Sequence, residues 1–249
     1  MALGEIIKIV ITVFVGGLSG AVVAYFTARL RFREIEKSFE LKIKEIESQI
    51  DISQKAERKK EESRLRVKYS NPLRVSAEDF GKRLSRISRK IEKQQEKDEL
   101  KNWFSHIRDA RRNKQEFTIW CNDIGHFAMT TLYLTAVYLA YATKIRIELP
   151  FREVNPDYQK GLIERIEKVR NFLGGFYGIW QETQDAVGES VLRNGEGVIG
   201  YREFCSRIMN DSEYPWLSRL VEYYRYIDSK GKDIANVIDS LQDLYKFLD

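Results

Sequence analysis

IGHFAMTTLYLTAVYLAYAT, residues 124–143, decides the fold, because these twenty residues include no Lys, Arg, Asp or Glu. A helix of this length can either cross a bilayer or form the buried centre of a helical domain. Four Thr, three Tyr and His126 count against a lipid-facing helix. A helix that is apolar on every side is typical of a domain core. The sequence therefore favours a buried central helix, with a second membrane span as the alternative.

Amphipathic helices are predicted around this segment, since apolar residues recur in steps of three and four. The clearest one begins near Asn71 and Pro72, which suit a helix cap and a first turn. Its apolar positions are Leu73, Ala77, Phe80, Leu84, Ile87 and Ile91. After a break at 95–98, helices are predicted around 100–107 and at 156–173, 175–192, 201–209, 215–229 and 234–248. No period-two alternation is present, so the predicted fold class is all-α, with a bundle-like domain over 69–249.

The region 175–200 leads to three local predictions. Gly188 within a helix indicates a close helix crossing, because no glycine-rich phosphate loop follows a strand in this sequence. Glu182, Asp185 and Glu189 share one helical face, for which solvent is the favoured surrounding and a cation or basic partner the alternative. RNGEGVIG, residues 193–200, predicts a loop or a tight hairpin at Asn194 and Gly195.

Residues 29–68 are predicted to form a charged helical stalk. The members of one apolar stripe are Phe32, Ile35, Phe39, Ile43, Ile46 and Ile50. Their mean step is that of an ordinary helix, so a short stalk or a non-heptad coiled coil fits better than a long heptad zipper. After Ile52 the stripe fades, and a solvated helix is favoured over a flexible linker.

Residues 9–28, IVITVFVGGLSGAVVAYFTA, predict a single transmembrane helix. Twenty uncharged residues rising ~1.5 Å each match a hydrocarbon core of about 30 Å. RLRFR follows at once, which predicts a single-pass protein of the plasma (inner) membrane with its C-terminal domain in the cytoplasm. A cleaved secretory signal is the alternative, although its positive charges precede a shorter apolar run.

A ladder of small residues recurs every four positions in this run, at Gly16, Gly20, Ala24 and Ala28. Such a ladder lets a second helix approach closely in lipid. We therefore predict self-association through these four residues and through the stalk, to give a homo-oligomer. The alternative is that Gly and Ala are simply common in membrane spans.

Charge is distributed unevenly along the chain, whose net charge is +5. Residues 29–114 carry 26 Lys and Arg against 16 Asp and Glu, whereas residues 115–249 carry 15 against 20. The basic part thus follows the predicted span. Contacts with anionic lipid headgroups are predicted for Arg29, Arg31, Arg33, Arg58, Lys59 and Lys60. Nucleic acid is a disfavoured partner, because acidic residues are interleaved and no nucleic-acid-binding motif is present.

No catalytic, cofactor-binding or metal-binding residue is predicted. Phosphate-loop, dinucleotide, kinase, zinc-protease and nucleophile-elbow motifs are absent from the sequence. Cys121 and Cys205 are interpreted as buried free thiols, with a nucleophilic Cys121 paired to His126 as the minor alternative. The tryptophans, Trp103, Trp120, Trp180 and Trp216, are interpreted as core anchors.

These patterns predict three parts: an outer tail and span over 1–28, a stalk over 29–68 and a helical domain over 69–249. The function they favour is a membrane-anchored scaffold, protein-interaction or signalling module. Its expected partners are membrane lipids, further copies of itself and other proteins. A membrane-acting effector of the defence type, or an enzyme with an unrecognised site, is the alternative.

Overall fold

The computed structural model describes residues 3–148, 156–174, 178–193, 197–227 and 231–249. It describes their side chains except at residues 3, 4, 6–22, 26, 58, 62, 66, 156, 231 and 232. Contacts between Cα atoms group the chain into two units, Met1–Lys60 and Glu61–Asp249, here called unit 1 and unit 2.

A single helix, α1, runs from Leu3 to Leu65 and supplies the regular structure described in unit 1. No Pro or Gly occurs between residues 21 and 65, and Glu, Lys, Arg and Ile dominate that stretch, so nothing in the sequence interrupts the helix. Lys55 Nζ lies 2.6 Å from Asp51 Oδ2, an ion pair between successive turns. The predicted helix between residues 29 and 65 is therefore present, and its last part is helical rather than a linker.

Unit 2 is built from helices that follow a short π-helical turn at Arg66–Ser70. These are α2 (Asn71–Ile91), α3 (Gln94–Ala110), α4 (Lys114–Asn122), α5 (His126–Glu148), α6 (Pro156–Leu173), α7 (Gln181–Val191), α8 (Tyr201–Met209), α9 (Tyr214–Arg225) and α10 (Gly231–Leu248). Within the described ranges, the one β-type pairing is an isolated antiparallel bridge between Leu192 and Val198. The all-α class is confirmed.

The centre of unit 2 is α5, which contacts α2, α3, α4, α7 and α8. Leu132, Tyr138 and Ala140, which point to different sides of this helix, are all fully buried. Neighbouring helices thus cover it on several sides, which is why its sequence is apolar all round. The prediction of a buried central helix is confirmed, although the helix begins at His126 and Ile124 is exposed.

The apolar stretch that begins at Phe117 is divided between α4 and α5 by a turn at 123–125. The Gly125 N–H donates to the Trp120 carbonyl at 2.8 Å. A Cβ atom at Gly125 would lie 2.4 Å from the Trp120 ring, so a residue without a side chain is needed where the chain folds back. This turn sets the start of α5.

The predicted cap at Asn71 is wrong, because α2 begins at Asn71 itself. Ser70 before it already has helical torsion angles (φ −70°, ψ −44°) and makes no side-chain capping bond. The π-helical turn runs directly into α2, so no extended residue separates them. The break after α2 falls at residues 92–93 rather than 95–98.

The C-terminal helices differ from the prediction mainly at their ends. α7 begins at Gln181, later than predicted, and α9 ends at Arg225, earlier than predicted. Residues 194–196 lie outside the described residues, and with them the predicted hairpin turn. On either side of these residues, the Ile199 N–H donates to the Val191 carbonyl at 2.9 Å, as in an antiparallel pair.

Candidate interaction surfaces

The first candidate surface is an apolar stripe on α1, here called the α1 stripe. Its members are Phe32, Ile35, Phe39, Ile43, Ile46 and Ile50. Each of these residues is between 51% and 73% exposed. At ~1.5 Å per residue the stripe is about 27 Å long. Six large apolar side chains in one exposed line on a charged helix form the kind of patch that soluble proteins bury against a partner.

The predicted self-association ladder belongs to the same helix. Ala24 and Ala28 are exposed on α1, whereas Gly16 and Gly20 fall in the range 6–22, which the structure describes only as backbone. Steps of four within an uninterrupted helix place all four residues on one face.

The predicted lipid-contacting residues also lie on α1. Arg29, Arg31 and Arg33 are exposed, as are Lys59 and Lys60, whereas the Arg58 side chain is outside those described. Side chains two residues apart on a helix are separated by about 200° around its axis, so Arg31 points away from Arg29 and Arg33. The arginines therefore lie on two opposite sides of the helix and do not form a one-sided patch.

Across the residues that the structure describes, no helix is both long and apolar enough to cross a membrane. The transmembrane helix predicted at 9–28 thus receives no support from the structure, and its residues 9–22 and 26 lie outside the described side chains. It remains a prediction from the sequence.

A second candidate surface is an aromatic patch on unit 2, here called the tryptophan patch, formed by Trp180, Trp216 and Arg219. Trp180 is 62% exposed and Trp216 is 58% exposed. The Arg219 guanidinium lies 5.6 Å from the Trp180 ring centre, and its Nε donates to the Gly178 carbonyl at 3.2 Å. Trp216 and Arg219 are three residues apart on α9 and so share one side of it.

The interpretation of the tryptophans as core anchors is wrong for Trp180 and Trp216. Trp180 precedes α7 in an extended conformation (φ −59°, ψ 152°). Trp216 lies outside the buried face of α9, which consists of Leu217, Leu220, Val221, Tyr223 and Tyr224. Trp103 and Trp120 do pack against the core. A large exposed aromatic beside an arginine is typical of a protein-binding surface.

The strongest polar cluster of unit 2 surrounds Asp185. Arg170 Nη1 and Nη2 donate to its carboxylate oxygens at 2.7 and 3.1 Å. Arg146 Nη1 donates to the same oxygens at 2.8 and 3.0 Å, and Thr143 Oγ1 donates at 2.9 Å. Arg146 Nε also lies 2.9 Å from Glu167 Oε1, so two arginines are balanced by two carboxylates. The cluster joins α5, α6 and α7.

The electrostatics of this cluster indicate a structural role. Burial opposes ionisation of Asp185, but hydrogen bonds from Arg170 and Arg146 outweigh it and lower its pKa to about 2. Asp185 is thus a permanent anion at neutral pH, engaged by cations of its own chain. The prediction of a solvated acidic face is wrong for Asp185, while Glu182 and Glu189 are exposed. Spacings of three and four residues show which side chains are neighbours on one helix. They give no information about partners on other helices, such as α5 and α6.

The two cysteines are free and buried, as predicted. Burial raises the pKa of Cys121 and raises that of Cys205 to about 12. Neither is a thiolate at neutral pH, so neither suits nucleophilic chemistry. Cys121 Sγ lies 3.4 Å from the Thr118 carbonyl, and the His126 ring packs against Tyr201 with ring centres 5.6 Å apart.

A surface cavity of about 680 Å³ lies beside the turn between α3 and α4. Its lining includes Arg111, Arg112, Lys114 and Asp211. Arg111 has a structural role there, because its Nη2 lies 2.6 Å from Asp211 Oδ1 and its Nε donates to the Ile208 carbonyl at 3.1 Å. Arg112 and Lys114 are exposed and make the cavity basic.

Metal ligation has no candidate residues in the described part of the chain, where no group of three or more His, Cys, Asp or Glu side chains is suitably placed. No family model, curated protein or solved structure matches this chain.

Proposed function

We propose that this protein is a membrane-anchored scaffold that self-associates through α1 and presents unit 2 to protein partners on the cytoplasmic side. The observation that carries the proposal is the α1 stripe, whose six apolar residues are 51–73% exposed. The stripe begins four residues after the uncharged run 9–28 ends. An apolar face this close to a membrane anchor favours association between copies held in the same bilayer.

Anchoring is supported by the sequence of residues 9–33. A twenty-residue uncharged helix has the length of a bilayer core, and Arg29, Arg31 and Arg33 follow it directly. Because these arginines lie on two opposite sides of the helix, they would meet headgroups on both of those sides of a helix leaving the membrane. Such charge also favours retention of this end in the cytoplasm.

Partner binding is assigned to the tryptophan patch. Trp180 and Trp216 present large rigid side chains at little entropic cost, and Arg219 supplies a planar cation beside them. This composition matches interface hot spots better than it matches a solvent-exposed surface. Binding is proposed in preference to catalysis because the best-formed polar cluster, around Asp185, satisfies its charges internally.

Alkaline carbonate extraction of membranes from cells that express the full chain tests the anchor. We expect the wild-type chain to stay in the membrane pellet. Val13→Arg combined with Leu18→Arg should release it, since each Arg near a span centre costs about 2.5–3.5 kcal/mol. Leu41→Arg, outside the run, is the matched control and should remain in the pellet.

Protease digestion of sealed vesicles tests the orientation in the same membranes. Unit 2 should be digested in inverted vesicles and protected in right-side-out vesicles. Release of the wild-type chain by carbonate, or protection of unit 2 in inverted vesicles only, would overturn the proposal.

A further inference from the structure

Residues 32–53 contain an internal repeat of eleven residues. FREIEKSFELK, residues 32–42, aligns without a gap with IKEIESQIDIS, residues 43–53. Nine of the eleven positions keep the same chemical class, and the other two pair Lys with Ser. The first, fourth and eighth positions of both copies are the members of the α1 stripe.

The repeat length determines how the stripe runs along the helix. Eleven residues over three turns correspond to 3.67 residues per turn, close to the ~3.6 of a straight α-helix. The stripe therefore runs almost parallel to the helix axis, with a slight right-handed drift. When the eleven-residue repeat is extended towards the N-terminus, Ala24 takes the position of Ile35 and Ala28 takes the position of Phe39. The end of the small-residue ladder and the α1 stripe thus share one face of α1.

The two edges of the α1 stripe carry opposite charges. The fifth position of the repeat lies about 65° to one side of the stripe centre and holds Glu36 and Glu47. The eleventh position lies about 65° to the other side and holds Lys42, preceded one repeat earlier by Arg31. All four residues are exposed on α1.

These charges distinguish the two ways of pairing α1 with a second copy. In a parallel pair the basic edge of each helix faces the acidic edge of the other, so Arg31 meets the partner's Glu36 and Lys42 meets the partner's Glu47. In an antiparallel pair each edge faces its own kind, and like charges oppose each other. Charge complementarity therefore favours the parallel arrangement.

We propose that two copies of this chain pair in parallel and in register through the α1 stripe, as a short right-handed coiled coil with an 11-residue repeat. This inference rests on the proposed function, because a coil about 27 Å long is marginal between free chains. Anchoring both chains in one membrane raises their effective concentration and compensates for the short contact.

Cysteine cross-linking of the full chain in its membrane tests the orientation. Phe32→Cys and Ile50→Cys, each alone, should form disulfide-linked dimers under copper-phenanthroline oxidation, since a parallel pair brings each position next to its own copy. Leu41→Cys, on the opposite side of α1, is the matched control and should cross-link weakly. The unsubstituted chain, whose thiols are buried, gives the background. Cross-linking only when the Phe32→Cys and Ile50→Cys chains are mixed would overturn the parallel arrangement.

Charge exchange tests the register. Lys42→Glu should reduce Ile50→Cys cross-linking about tenfold, since two attractive contacts per dimer become repulsive. Adding Glu47→Lys to Lys42→Glu should restore it. Lys44→Glu makes the same charge change away from the stripe edges and should have little effect. Equal effects of Lys42→Glu and Lys44→Glu, or no restoration in the double variant, would overturn the proposed register.

Failure of this inference can be told apart from failure of the proposed function. A chain that resists carbonate extraction and cross-links only in mixtures retains the anchor and self-association but pairs in the opposite direction. A chain that carbonate releases contradicts the anchored scaffold itself, whatever its cross-links.

Discussion

Arg170 and Asp185 form a two-point ion pair that joins α6 to α7, with Nη1 2.7 Å from Oδ1 and Nη2 3.1 Å from Oδ2. The Arg170 side chain is 0% exposed. Its Nη2 also donates to the Gln181 carbonyl at 3.0 Å, at the start of α7. A fully desolvated guanidinium depends on its carboxylate, so this contact should dominate the response of unit 2 to mutation.

Asp185→Asn should lower the free energy of unfolding by about 3–5 kcal/mol, because it removes the carboxylate that forms the two-point ion pair with the buried Arg170 guanidinium. Chemical denaturation followed by circular dichroism measures the effect. Glu182→Gln, at an exposed position on the same helix, is the matched control and should change stability by less than about 0.5 kcal/mol. Similar losses in both variants would contradict the assigned role of the pair.

The same pair should make unit 2 sensitive to acid. The pKa of Asp185 is lowered to about 2 in the folded chain, below its ordinary 3.8. A depressed carboxylate pKa contributes stability that is complete above the unfolded-state value and is lost as pH falls through about 2. Denaturation between pH 6 and pH 2.5 should show wild type and Asp185→Asn converging below about pH 4. A constant difference over that range would contradict the assignment.

Gly188→Ala should destabilise unit 2 by about 1–3 kcal/mol. An added Cβ would lie 2.8 Å from the Leu139 carbonyl oxygen and 2.9 Å from Thr143 Oγ1, where α7 crosses α5. Gly81→Ala on α2 is the control, because its Cβ would make ordinary contacts of 3.8 Å with Leu241. That change should be neutral or stabilise by up to ~1 kcal/mol. Thermal unfolding of both variants decides the point, and equal melting temperatures would contradict the close crossing.

Thr135 and Tyr224 are suited to a double-mutant cycle that measures the interaction between their hydroxyl groups in the core. Their hydroxyl oxygens lie 2.6 Å apart, and Thr135 Oγ1 also donates to the Thr131 carbonyl at 2.8 Å. Thr135→Val leaves the buried Tyr224 hydroxyl without this acceptor and should cost about 1–3 kcal/mol. Adding Tyr224→Phe should recover part of that loss. Additive losses from the two single changes would show that the hydroxyls do not interact.

Much of unit 2 could be predicted from sequence, because apolar residues on one side of a helix report burial directly. In α2, the residues that form the apolar pattern from Leu73 to Ile87 are buried. The segment 124–143 is apolar on all sides, and α5 is enclosed by other helices. The isolated Gly188 correctly predicts a close helix crossing, because a glycine in the middle of a helix usually has a packing reason.

The contacts between distant segments could not be predicted in this way. Asp185 is bound by Arg170 and Arg146, which are 15 and 39 residues away on other helices, and no periodicity within α7 reports them. The exposure of Trp180 and Trp216 depends on which faces of α7 and α9 meet the core. The α1 stripe is visible in the sequence as a periodic pattern. The exposure of its residues in the structure is what indicates a partner outside the chain.

The number of copies in each complex in intact membranes, counted by stepwise photobleaching of a fluorophore fused to the full-length chain, tests self-association through the α1 stripe most directly. We predict a dimer for wild type, a monomer for Ile46→Asp within the stripe, and a dimer for Ile52→Asp on the other side of α1. A monomeric wild type, or an Ile46→Asp chain that remains dimeric, would contradict the account.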